Sequence, residues 1–318
     1  MKIFRSLEQL PRFRNPVLTI GSFDGVHAGH QKILESVQEL ARAQGGESVV
    51  ISFHPHPRLV VYPQARDLHL LSTTEEKILL LERYGVDNVV IVPFTVEFSR
   101  LTPDEYIVQF LVGKFHPRCV VIGYDHRFGL NRQGDINFLR WYGKELGFEV
   151  VEIPKQEVDA IAISSTKIRE ALLRGDVEQA LRMLNHPYLL IGRVVPGNGI
   201  GKTLGFPTAN LQVSDPHKLI PAEGIYAVRA HFEGQPYQGM LYIGRRPTLN
   251  QHPEKVIEVH LFDFDQNIYG EELQVEFLHF LRRDASFANL EQLAAQLARD
   301  REAALGFFRR QAEIPGKA

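Results

Sequence analysis

Two rhythms divide this chain. From Val17 to Leu184, short β-branched runs alternate with helical patterns. From Tyr188 onward, strand-like runs follow one another across Gly, Pro and Asn turns. Alternation of strand and helix implies a parallel sheet with helices on both faces. Strands without intervening helices imply a small antiparallel barrel. The first rhythm predicts strands over 17–20, 48–53, 89–92, 119–122 and 148–153, with helices over 28–43, 73–84, 103–112 and, in two pieces, 165–184. The second predicts strands over 188–195, 226–232, 237–243, 256–262 and 273–281, then a helix over 290–308. Asn185-His186-Pro187 reads as the boundary, giving domains 1–185 and 186–318.

The chemistry concentrates where the first strand hands over to the first helix, in Gly21-Ser22-Phe23-Asp24-Gly25-Val26-His27-Ala28-Gly29-His30. The glycines permit a tight turn and close approach of backbone to a ligand. Free N–H groups and the dipole at a helix start favour phosphate. His27 and His30 share one side of the first turn and can neutralise charge at a phosphoryl centre. The competing reading is an ordinary junction with two solvated histidines. The glycines, the Asp and both histidines in one stretch argue against it.

Other candidates are distributed along the chain. His54-Pro55-His56-Pro57 follows the second strand, on the ligand side of an open α/β sheet; as a metal site it lacks a matching third ligand. Arg127 offers a planar fork of donors to phosphate, with a surface salt bridge as its plainer role. Ser164, Ser165, Thr166, Lys167 and Arg169 open a helix, and cations there call for an anion between them. Gly197 to Thr203 looks like a P-loop, but Pro196 stands where that motif needs its first glycine. Pro207 argues against the helix that should follow. A glycine-rich flap between strands remains, with Lys202 as a point charge.

Lys+Arg 36 against Asp+Glu 38 gives a net charge of −2, so no global basic field favours nucleic acid. Cys119 is the only cysteine, which excludes an intrachain disulfide. No run approaches the roughly 18 apolar residues of a membrane span. The first residues lack an apolar signal core, so a cytoplasmic location is expected. Oligomeric state stays open.

The stretch GSFDGVHAGH resembles GxFDGVHxGH, the long form of the HxGH signature of nucleotidyltransferases, found in the adenylylating half of bacterial bifunctional riboflavin kinase/FAD synthetases. ISSTKIR (163–169) resembles that superfamily's ISSTxIR. Gly123, Asp125, Arg127, Phe128, Gly129, Gly134 and Asp135 match a further motif of the family, with His126 where a Phe is usual. GKTLGFPTAN (201–210) resembles the riboflavin kinase signature, and the match continues through 224–228, 243–248, 258–264 and Leu281-Arg282.

This resemblance implies a Rossmann-like, HxGH-type α/β nucleotidyltransferase domain followed by a riboflavin kinase barrel with a terminal helix. It implies that the barrel phosphorylates riboflavin to FMN with ATP, and that the first domain adenylylates FMN to FAD, releasing pyrophosphate. His27 and His30 would be catalytic, with Gly21, Phe23, Asp24, Gly29, Ser164, Ser165, Thr166 and Arg169 around the ATP phosphates. His54, Asp125 and Arg127 would lie near FMN. Gly201, Lys202, Thr203, Thr208 and Asn210 would hold ATP in the kinase, the last two with Mg²⁺, whose hard-oxygen preference they suit. Glu258 would be the base for the ribityl 5′-hydroxyl, placed inside the barrel. Two alternatives stand beside this: a kinase that has lost adenylylation, for which His126 is the hint, and a flavin-binding regulator without turnover.

Overall fold

The computed structural model describes residues 1–64, 68–154, 163–197, 200–246 and 254–313, with the side chains of 200, 202, 246 and 254 outside the description. The chain divides into two compact units, 1–165 and 166–318.

The first unit holds a six-stranded sheet in the order β1-β4-β3-β2-β5-β6. Its strands are β1 (Lys2–Phe4), β2 (Val17–Ile20), β3 (Ser48–His54), β4 (Asn88–Pro93), β5 (Cys119–Gly123) and β6 (Glu149–Ile153). Every pairing is parallel. β2 through β5 are almost wholly buried, as continuous β-branched runs require when helices cover both faces. Leu18, Ile20, Val49, Ile51 and Val120 face one apolar cluster; Val17, Cys119 and Val121 face another, with Ile33 and Val37 of the helix Ala28–Ala43. From β2 the chain runs outward through β3 and β4, then crosses back to β5 on the other side of β2. The strand order therefore reverses at β2, and such a switch point opens a crevice at the carboxyl ends of the strands.

Two local features differ from expectation. The edge strand β1 was not predicted, because three residues containing Lys2 carry no period; its pairing with β4 creates it. The helix expected over 103–112 is α-helical only at Pro103–Glu105, where Thr102 forms a capping box, and continues as a π-helix over Tyr106–Val112. The wider turn buries Tyr106, Ile107, Phe110 and Leu111 together.

The second unit is a closed barrel in the order β10-β11-β8-β7-β12-β9. Its strands are β7 (Tyr188–Val195), β8 (Ala209–Gln212), β9 (Gly224–Phe232), β10 (Gln235–Arg246), β11 (Glu254–Leu261) and β12 (Glu272–Arg282), all antiparallel. Tyr226, Leu241 and Val259 form a buried cross-strand row. On the opposite face Ile225, Ala227, Met240 and Tyr242 pack with Ala304 and Phe308 of the terminal helix Leu290–Ala312. That helix is pinned by a two-pronged ion pair: Arg282 Nε and Nη2 donate to Asp300 at 2.8 and 2.7 Å.

The helices Ser165–Leu173 and Val177–Leu184 contribute to this unit. Glu178 pairs with His279 and accepts the Phe280 N–H at 3.3 Å. Leu172 O accepts the Ala222 N–H at 3.0 Å. A fragment 166–318 is therefore expected to unfold at a temperature at least about 5 °C above a fragment 187–318, since each kcal/mol of added contact shifts a domain of this size by several degrees. Equal melting curves would show that these helices add nothing to the barrel.

Candidate active sites

The turn after β2 is held from below. Gly21 N–H donates to Ile51 O at 3.0 Å. Phe23, Gly25 and Val26 have φ of 47°, 77° and 41°. A left-handed Phe and a left-handed Val are uncommon and persist only where surroundings over-determine them. Here Asp24 does much of that. It is 3 % exposed, and its Oδ1 accepts the N–H groups of Leu71 and Ser72 at 2.8 and 3.0 Å. Gly25 N–H returns a bond to Ser72 Oγ at 2.9 Å. Asp24 thus has a supporting place in the structure, and a carboxylate so tied is a poor direct partner for phosphate.

The turn delivers His27 as the N-cap of the helix Ala28–Ala43, in extended conformation. Its Nδ1 accepts the His30 N–H at 3.4 Å, a weak cap that leaves its proton on Nε2. The rings of His27 and His30 stack, with centroids 3.7 Å apart and planes 14° apart. Phe23 closes the stack at 5.1 Å from His30. Burial lowers the His30 imidazole well below its ordinary value, and the neighbouring His27 and Lys77 push the same way. His30 Nδ1 is buried without a hydrogen-bond partner among the described residues.

Lys77 is the participant that the sequence did not disclose. It lies on the helix Thr74–Arg83. It is 5 % exposed, and its Nζ donates to Ser52 Oγ at 3.0 Å. Burial brings it down to about 8, with Asp24 pulling upward.

The flavin-side candidates are more dispersed in character. His54 ends β3 and bonds Thr74 Oγ1 through Nδ1 at 2.9 Å. Asp125 is exposed. Arg127 pairs with Asp135 at 3.3 Å while Asp135 caps the helix Ile136–Leu146. Phe128 is buried, stacks on Tyr106 at 5.0 Å, and leaves room only for a glycine at 134, where a Cβ would meet its ring at 2.4 Å. His126 lies 6.0 Å from Phe128 in a loose stack, held neutral by burial at about 4. Ser164 and Ser165 close the first unit, while Thr166 and Arg169 lie in the second, on the helix Ser165–Leu173.

In the barrel, Thr208 Oγ1–H donates to Glu258 Oε2 at 3.1 Å. Asn210 is the cross-strand partner of Glu258, so the three side chains are set by one register between β8 and β11. Sequence reading missed β8 because Pro207 and the glycines around it mask so short a strand. The flap folds down onto it: Phe206 N–H donates to Gly201 O at 2.8 Å, and a Cβ on Gly201 would meet Phe206 O at 2.4 Å. A Cβ on Gly197 would meet the Asn210 amide at 1.9 Å. Gly201 is thus required by close approach to backbone, while a side chain at 197 would displace the Asn210 amide. Thr203 ends the short helix Ile200–Thr203, and the Lys202 side chain lies outside the described residues.

Glu258 is not inside the barrel. Ile257 and Val259, on either side of it, are the buried inward residues. Glu258 pairs in register with Tyr242, and His260 with Met240, on the face that the terminal helix partly covers. Two residues along β11, a cavity of about 470 Å³ opens among Phe206, His260, Phe262, Phe264 and Arg301. His260 Nδ1–H donates to Pro207 O at 2.8 Å, tying the cavity wall to the flap.

Comparison with known proteins covers both units. A family profile described as FAD synthetase matches residues 10–167, and one described as riboflavin kinase matches 184–308. The chain is 38 % identical to the bifunctional riboflavin kinase/FMN adenylyltransferase of Haemophilus influenzae, over 97 % of this chain and 99 % of that one. It is 36 % identical to the proteins of the same name from Listeria monocytogenes, over 92 % and 93 %, and Escherichia coli K12, over 97 % and 98 %. A crystal structure from Streptococcus pneumoniae, of a protein called a macrolide-efflux protein, superposes with a TM-score of 0.84 at 32 % identity, over 95 % of this chain and 97 % of that one. Among the described residues no helix is long and apolar enough to cross a membrane. With relatedness running through both units and nearly end to end, the chain belongs to the family of bifunctional riboflavin kinase/FMN adenylyltransferases.

Proposed function

We propose that the barrel converts riboflavin to FMN and that the His27/His30 junction converts FMN to FAD, with residues 186–318 and 1–185 as the respective halves. In the first step the riboflavin 5′-oxygen attacks the γ-phosphorus of ATP, the bond to ADP breaks, and the hydroxyl proton passes to Glu258. In the second an FMN phosphate oxygen attacks the α-phosphorus of ATP and pyrophosphate leaves. The observation that carries this reading is the coexistence of two phosphate-directed sites in one chain. One is a stacked histidine pair at a helix start; the other is a carboxylate, a hydroxyl and an amide brought into one cross-strand register.

At the first site Phe23 and Gly29 contribute backbone to the phosphate cradle, Gly21 shapes the turn with its N–H held by Ile51 O, and Ser164, Ser165, Thr166 and Arg169 are further candidates on the strength of their motif. Asp24 supports the turn. His54, Asp125 and Arg127 are assigned to the FMN side. At the kinase site Gly201, Lys202 and Thr203 belong to the phosphate-covering flap. The cavity beside β11 suits the planar ring end of a substrate, with aromatic walls from Phe206, Phe262 and Phe264 and polar groups from His260, Asp263 and Arg301. Both reactions consist of positioning and of charge stabilisation around phosphorus. Neither nucleic acid nor membrane enters them, and the implied compartment is the cytoplasm.

Thr208 Oγ1 and the Asn210 amide oxygen are hard, neutral donors beside a carboxylate, a set that fits Mg²⁺. When bound, Mg²⁺ supplies charge neutralisation on the nucleotide phosphates. Asn210→Leu is expected to raise the Mg·ATP requirement of FMN formation at least tenfold or to abolish the step. Unchanged metal dependence would restrict Thr208 and Asn210 to shaping the turn after Pro207.

The direct test is chromatography of the products that purified protein makes from riboflavin and Mg·ATP. FMN, FAD, ADP and pyrophosphate together support the reading. FMN and ADP alone would reduce it to the kinase, and no turnover would leave only flavin binding.

A further inference from the structure

Lys77 is buried beside the turn that leads to the histidine pair, and the bonds around it follow a continuous path. Its Nζ donates to Ser52 Oγ at 3.0 Å, and Ser52 Oγ–H donates to Ser22 O at 3.2 Å. On the other side of the same turn Asp24 holds the Leu71 and Ser72 N–H groups, and Ser72 holds Gly25. The end of β3, the loop at 71–72 and the helix Thr74–Arg83 all converge on residues 22–25, immediately before His27. We propose that Lys77 is a positioning residue for adenylyl transfer, which fixes the Ser22–Gly25 turn through Ser52 and so sets the stacked imidazoles of His27 and His30 at the helix start. The inference rests on the reading of His27 and His30 as the phosphate-stabilising pair.

The charges around the turn are accounted for. Burial acts most strongly to lower the His30 imidazole, then His27, then Lys77. Asp24 pulls Lys77 upward, and Glu76 is buried with its carboxylate accepting the Thr73 N–H at 2.8 Å.

The experiment measures FAD formation from FMN and Mg·ATP by the full chain. Lys77→Met alone leaves Asp24 as a buried charge without its lysine and can cost the fold. The decisive variant is therefore the double exchange Asp24→Asn/Lys77→Met, which keeps the Oδ1 acceptor for Leu71 and Ser72 while removing both charges. It is expected to retain its unfolding temperature within a few degrees and to lose on the order of 10²-fold in kcat, the scale of a misplaced reacting group. Its KM for FMN and for ATP is expected to change less than about threefold, since a misplaced reacting group costs rate and not ground-state binding. Lys77→Arg, which keeps a donor for Ser52, is expected to recover kcat to within about tenfold of the parent. A double variant that matches the parent in kcat overturns the proposal, because Lys77 then only balances Asp24. His30→Ala separates the two levels: if it leaves FAD formation intact, the reading of the site and this inference fall together. If it stops FAD formation while the double variant matches the parent, only the role of Lys77 falls.

Discussion

His30→Ala is expected to lower FAD formation from FMN by roughly 10²–10³-fold, the usual cost of removing one preorganised group from a developing charge. FMN formation from riboflavin should continue at its normal rate. The expectation follows from where the ring sits. His30 lies in the first turn of the helix Ala28–Ala43, stacked on His27 and backed by Phe23. Nothing in that arrangement is needed to hold the sheet, whose central strands are buried by their own apolar runs. The substitution should therefore remove chemistry and leave folding, which a melting curve would confirm. Assay of both products from one preparation makes the comparison internal. An alanine variant that still makes FAD at the parental rate would place the adenylylating centre elsewhere.

Glu258→Gln is the converse experiment. It is expected to reduce riboflavin phosphorylation by roughly 10²–10⁴-fold, the range for loss of a general base, while FAD formation from supplied FMN stays normal. Gln keeps the shape and can still accept the Thr208 hydroxyl, which donates to Glu258 at 3.1 Å. Its neighbours in register are Asn210 and Tyr242. Loss of basicity is thus the main change, and riboflavin binding should persist. Near-normal FMN output would show that Glu258 is not the base. Joint loss of both activities would instead point to a structural part for it.

Much of this was legible beforehand, for identifiable reasons. The parallel strands announce themselves because both faces are covered, which makes 17–20, 48–53, 89–92 and 119–122 continuous apolar runs. The histidine junction was legible because glycines, Asp24 and both imidazoles lie within one contiguous stretch. What was hidden depended on partners distant in sequence. Lys77 becomes a buried cation only because Ser52 and Asp24 lie across from it. The tie of Asp24 to the backbone N–H groups at 71 and 72 is likewise long-range. The outward face of Glu258 is a property of barrel closure, which a single strand pattern does not fix, since both Val256 and Val259 are apolar. The π-turn at Tyr106–Val112 likewise depends on aromatic packing, not on local preference.

The register that sets Asn210 opposite Glu258 has a consequence for how such a chain can change over generations. β8 has four residues and is paired on both sides, to β7 and to β11, within a ring that has no free edge. In a closed barrel, stagger and strand number are linked, so one strand cannot slide without the others. A slip of one residue would also turn every side chain to the opposite face. Insertions and deletions in the exposed turn at 233–234 can accumulate without moving the hydroxyl, the amide and the carboxylate relative to one another. Loop length is thus left open to variation in this half of the molecule, while the reacting geometry is inherited with the ring itself.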